Sequence, residues 1–115
     1  MAYSAEPVIY DHTLIIGDTY RGPTVSLVDA DGVAYDLTSA TGEASVETES
    51  GGTVLLTPTV TVSGTTDDFY WSSPYSETTS LQPQRARYAV RITFADGTRH
   101  TVIRGTVTIV AAELS

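Results

Sequence analysis

RARYAVRITFADGTRHTVIRGTVTIV, residues 85–110, decides how this chain folds. In its first half Arg85, Arg87, Ala89, Arg91 and Thr93 share one parity, and Ala86, Tyr88, Val90, Ile92 and Phe94 share the other. Side chains of a strand alternate between two faces, so this run reads as a strand with one wet and one buried face. Ala95-Asp96-Gly97 then supplies turn residues between two alternating runs, the signal of a hairpin. In the returning strand Ile103, Val107 and Ile109 take the inward parity. His100, Val102, Arg104, Thr106 and Thr108 take the outward one. Gly105, inside that strand, points to a bulge or a close backbone approach.

The same texture continues on either side. Residues 8–16 can place Val8, Tyr10, His12, Leu14 and Ile16 on one face, and residues 24–28 place Val25 with Leu27. Residues 53–62 read as one strand with Val54, Leu56, Pro58, Val60 and Val62 together; Pro58 lacks a donor, which demands an edge or a bulge. Turn chemistry punctuates these runs at 29–32, 49–52 and 62–68, where Asp, Ser and Gly cluster. One short helical turn is expected near 76–82, capped by Ser76, with Glu77 in its first turn and Pro83 beyond its end. Seven or eight short strands at this spacing describe an all-β fold, an Ig-like antiparallel β-sandwich, with a small barrel as the other closure.

A chain of 115 residues makes one domain, 1–115, with its own core. Residues 1–7 read as an N-terminal arm that is either free or docked on a neighbour. There is no cysteine, which excludes disulfides and thiolate metal sites. No apolar run is long enough for a spanning helix, so no membrane partner is expected. The opening MAYSAEPVIYDH lacks the pattern of a signal peptide, so synthesis and assembly in the cytoplasm are expected.

The net charge of −8 disfavours nucleic acid as a partner. The charge is also uneven. Residues 1–80 carry twelve acidic side chains and one arginine, a net −11, whereas residues 81–115 carry two acidic side chains and five arginines, a net +3. That asymmetry becomes two oppositely charged faces unless the strands interleave and cancel it.

Chemistry-bearing motifs are sparse. Two histidines without metal-ligand spacing give no metal site. The DADG at 29–32 lacks the remaining ligands of a calcium loop. Nucleotide-binding and nucleophile-elbow glycine motifs are absent. Neither an enzyme nor a cofactor is expected. The arginines have two readings: a solvated outer face, or a contact surface whose planar guanidinium forks pair with carboxylates. On the second reading Arg85, Arg87, Arg91 and Arg104, with Tyr3 and Tyr10 near the N-terminus, are the candidate interface residues. The aromatic run DDFYWSSPY, residues 67–75, is either a core strand or a rim of anchors for sugar or protein.

Three stretches carry a resemblance. LIIGDTYRGPTVSLVDADGVAYDLTSAT (14–41), ESGGTVLLTPTVTV (49–62) and SLQPQRARYAVRITFADGTRHTVIRGTVTIV (80–110) are, in order, similar to small Ig-like β-sandwich proteins of tailed bacteriophage particles. These include the N-terminal domain of baseplate upper proteins and related stand-alone virion proteins. The match departs at Gln84-Arg85, where that pattern has a glycine ahead of the tyrosine. The resemblance implies a non-enzymatic tail or baseplate component of the virion, assembled in the host cytoplasm through contacts with other phage structural proteins. A homo-oligomer or symmetric array goes with that role. It also implies, as alternatives, a capsid decoration protein on the major capsid protein, and for Tyr88 a tyrosine-corner role. A carbohydrate-binding module is the alternative from outside that class.

Overall fold

A computed structural model describes residues 7–29 and 31–112. They form two packed sheets. The larger is built on the hairpin read from the sequence, β9 (Gln84–Thr93) and β10 (Arg99–Val110). β5 (Thr41–Thr48) lies antiparallel to β9, and β6 (Val54–Leu56) lies antiparallel to β5. On the far side of β10 lie β1 (Val8–Ile9) and β2 (His12–Ile15). The smaller sheet centres on β8 (Asp68–Ser73). β7 (Thr59–Ser63) flanks it on one side, and β3 (Tyr20–Arg21) and β4 (Val25–Ser26) on the other. The all-β sandwich is therefore present, with ten strand segments among the described residues where seven or eight short strands were expected.

The β9–β10 turn forms as its residues dictate. Gly97 has φ +89°, and its amide and that of Phe94 close the turn on the Phe94 and Thr98 carbonyls. The Asp96 carboxylate accepts the Thr98 amide at 2.9 Å and the Thr98 hydroxyl at 2.6 Å. Along β9 the parity holds: Ala86, Tyr88, Val90 and Ile92 are buried, while Arg85, Arg87 and Arg91 are exposed. Facing them across the sandwich are Phe69 and Trp71 of β8, with Leu14, Val46, Val107 and Ile109 filling the same core.

Four expectations are corrected. First, the register between β9 and β10 jumps from Thr101↔Arg91 to Ile103↔Val90, so the bulge is at Val102 and not at Gly105. The extra residue reverses parity, which turns Val102 into the core and aligns His100 with inward-facing Ile92. Gly105 serves the other purpose foreseen for it, since a Cβ there would overlap the Tyr10 carbonyl. Second, residues 53–62 are two strands. The chain leaves the large sheet after Leu56 and joins the small one at Thr59, so Pro58 sits at the crossing. A second register shift leaves Val46 opposite Leu56 but Glu47 opposite Val54, which turns Val54 to solvent.

Third, residues 8–16 are broken at Tyr10-Asp11, and both pieces run parallel to β10, so the sheet is not wholly antiparallel. The break is stitched rather than loose. The Tyr10 amide donates to the Arg104 carbonyl at 3.0 Å, and the Thr106 amide donates to Asp11 Oδ1 at 2.8 Å. Fourth, the helical turn α1 spans Tyr75–Thr78, not 76–82, and Pro74 stands at its N-cap in place of Ser76. Proline is suited to an N-terminus, where a missing N–H costs nothing. Thr78 is buried; its hydroxyl accepts the Gly17 amide and donates to the Asp18 carbonyl, tying the turn to the loop after β2.

Candidate protein interface

The outer face of the large sheet carries the arginines in rows set by strand register. Thr106, Arg87 and Glu47 are aligned across β10, β9 and β5. Two residues along, Ile9, Arg104, Ala89 and Ser45 form the next row. Beyond it stand Thr101, Arg91 and Glu43. On β9 and β5 the middle row holds the small Ala89 and Ser45 between the longer Arg87 and Glu47 on one side and Arg91 and Glu43 on the other, so a trench forms there, with Arg104 and Ile9 at its β10 end. It opens into a groove of about 330 Å³ floored by Ala89, Gly105 and Ser45 and walled by Ile9, Arg87, Arg104 and Glu47. A second hollow of about 330 Å³ continues it over Ser45 and Ala89 toward Glu43 and Arg91.

Interleaving also cancels most of the charge asymmetry, because β5 brings acidic residues alongside the arginines. Arg85 Nε lies 2.9 Å from Glu49. Arg91 and Arg99 reach Glu43 at 3.5 and 4.0 Å. These pairs are exposed, a setting in which ion pairs contribute ~0–1 kcal/mol. Arg87 and Arg104 differ: neither makes an ion pair or side-chain hydrogen bond among the described residues. Glu47, opposite Arg87, accepts instead from the Ser45 hydroxyl at 3.2 Å. The trench thus presents two guanidinium groups, unpaired among the described residues, around an apolar floor.

Of the candidate interface residues, Arg87, Arg91 and Arg104 meet along this trench, and Arg85 lies beyond it with Glu49. Tyr10 is not among them. Its ring stacks on His12 with centroids 5.1 Å apart, on the other side of the sheet edge. Tyr3 lies outside the described residues. Sequence reasoning did not find Ala89, Ser45, Gly105 and Ile9 as trench residues; only the glycine in a strand and the single alanine among arginines hinted at a depression.

A second cluster joins the sheets. Trp71 Nε1 donates to the Tyr20 hydroxyl at 2.9 Å, and that hydroxyl lies 2.7 Å from His12 Nε2. Tyr88 stacks on Trp71 and donates its hydroxyl to the Tyr10 carbonyl. That bond is a tyrosine-corner contact in kind, but it reaches back 78 residues rather than to nearby chain. Burial pushes Tyr20 up to about 12 and raises Tyr88 as well. Burial also lowers His12, against the opposing pull of the Tyr10 backbone and the Asp11 charge.

The His12 shift has a direction that can be measured. A base whose folded pKa is depressed leaves the unfolded chain binding more protons, so stability rises with pH there. The contribution is complete above the unfolded value of about 6.5 and is lost as pH falls toward the folded one. Urea unfolding between about pH 7 and pH 5 should therefore show a steeper loss for the native chain than for His12→Gln. Equal slopes would place His12 in water.

The aromatic run 67–75 is mostly core. Phe69 and Trp71 are fully buried, and Tyr70 lies under the Arg21 guanidinium, 3.9 Å from its ring centroid. Of the four aromatic side chains in this run, Tyr75 is the one in the exposed class. No group of three or more His, Cys, Asp or Glu side chains gathers at metal-binding distance among the described residues.

No family model matches the chain, and no curated protein does. Among solved structures, an internalin-like protein of Listeria monocytogenes is similar at 14% identity and a TM-score of 0.44. The similarity covers 92% of this chain and 28% of that one, so the chain spans less than a third of its length.

Proposed function

We propose that this chain is a non-enzymatic structural component of a tailed bacteriophage particle, placed in the tail or baseplate and held by protein contacts. The observation that carries the reading is the trench on the large sheet. Arg87 and Arg104 stand unpaired among the described residues beside an apolar floor, a combination suited to a carboxylate-bearing protein partner. The stretches that carry the phage resemblance form turns and strands of this sandwich. Asp29 caps the 29–32 turn by accepting the Asp31 and Val33 amides, and the hairpin 84–110 forms the middle of the large sheet. A capsid decoration role draws on the same surface. The carbohydrate-binding alternative draws less support from the aromatic run, because Phe69 and Trp71 are buried and Tyr75 is left as its exposed aromatic.

Mass spectrometry of purified particles, with copy number, tests the proposal. A count near 3, 6 or 12 fits a ring at the tail tip, and about a hundred or more fits a capsid or tube coat. Absence from particles removes the virion role. Reversing Arg87 and Arg91 to Glu should leave the unfolding midpoint within about 0.5 kcal/mol of the native chain, as exposed substitutions do. It should lower incorporation into particles severalfold. Unchanged incorporation would take the arginine face out of assembly.

A further inference from the structure

The trench has a complement on the same chain. After β4 the backbone makes a tight turn bridged by Val28↔Ala34, with the Asp29 amide on the Val33 carbonyl and the Tyr35 amide on the Leu27 carbonyl. Val28 and Val33 flank its tip and are 50% and 62% exposed. Exposed valines are unusual at a turn, where polar residues are the rule. Beside them the Asp31 carboxylate makes no hydrogen bond or ion pair among the described residues. A small apolar knob with a free carboxylate thus stands on one part of the molecule. A small apolar trench with two guanidinium groups unpaired among the described residues stands on another.

We infer that the Asp31–Val33 tip of one copy docks in the Ala89–Gly105 trench of a second copy, head to tail. Asp31 pairs with Arg87 and Arg104, and Val33 covers the apolar floor beside Ile9. The contact is heterologous, joining two different patches, so its repetition gives a ring if the rotation closes and a filament if it does not. One turn in one trench buries less than a standard interface, so the isolated contact is weak. In a particle that holds copies side by side, high local concentration compensates for that weakness. The net charge of −8 on each copy does not prevent the approach at physiological salt, where screening acts over ~8 Å. The inference deepens the reading of the arginine face as an assembly surface.

Two neutral variants test it. Asp31→Asn with Val33→Asn removes the knob, and Arg87→Gln with Arg104→Gln removes the socket; all four positions lie on the surface. Sedimentation velocity from micromolar to millimolar concentration should show the native chain associating and each variant remaining monomeric. A mixture of the two variants should form a one-to-one dimer and nothing larger, because only one intact knob and one intact socket remain per pair. Concentration-dependent amide shifts in the native chain should fall on both patches. A native chain that stays monomeric, a socket variant that associates like the native chain, or a mixture without dimers would each overturn the contact. A monomeric native chain still found in particles would remove this contact alone and leave the virion role standing.

Discussion

Trp71→Ala will destabilise the fold by about 3–5 kcal/mol, the cost of truncating a large aromatic in a packed core. Trp71 is fully buried between the sheets. Its ring packs against Tyr88, with centroids 5.7 Å apart. On its other side Gly22 approaches so closely that a Cβ there would run into the indole. The substitution leaves a cavity that neither neighbour can fill without moving backbone. It also removes the donor to the Tyr20 hydroxyl, which is itself buried. Domains of this kind are stable by ~5–15 kcal/mol, so the loss is a large part of the whole. Urea unfolding followed by circular dichroism measures it. A loss under about 1.5 kcal/mol would mean that the sheets do not close on the indole. Trp71→Phe should fall between the two, because it keeps most of the area and loses the N–H.

Gly105→Ala ranks second, at ~2 kcal/mol or more, by overpacking rather than by a cavity. Backbone from Tyr10 crosses directly over Gly105, and the new methyl would overlap the Tyr10 carbonyl oxygen. That carbonyl also accepts the Tyr88 hydroxyl, and the adjacent Asp11 carboxylate accepts the Thr106 amide. Relief requires lifting residues 8–12 from β10, which breaks these bonds together. Hydrogen exchange should therefore accelerate at Tyr10 and at the amides of β2 while β5 and β9 keep their protection. Unchanged exchange, with an unchanged midpoint, would show that the N-terminal strand does not lie over Gly105.

What the sequence made legible follows from which effects are local. The strand 85–94 could be read because its arginines alternate with Ala86, Tyr88, Val90 and Ile92 without interruption. Its turn could be read because Asp96 and Gly97 act within three residues. The bulge at Val102 could not, since valine suits either face and only pairing with β9 shows the slipped register. The sheet change at Pro58 was visible as a missing donor but not as a crossing. The parallel course of residues 8–15 was hidden because alternation says nothing about strand direction. The trench was the least legible feature of all. Ser45, Ala89 and Gly105 are far apart in the chain and become one floor only when three strands align. The arginines were correctly placed on the outer face, but their separation into paired and unpaired members depends on which glutamates β5 delivers.

The parallel pairing of His12–Ile15 with Val107–Val110 has a mechanical consequence. Tension applied toward the N-terminus at residue 12 and toward the C-terminus at residue 110 drives the two strands past each other along their length. All the bonds of the ladder then bear the load at once, in shear. An antiparallel pair pulled from its open end would instead release them one by one. The sandwich is closed at the point where a pull along the chain enters and leaves it, so it resists as a clamp before any interior strand is drawn out.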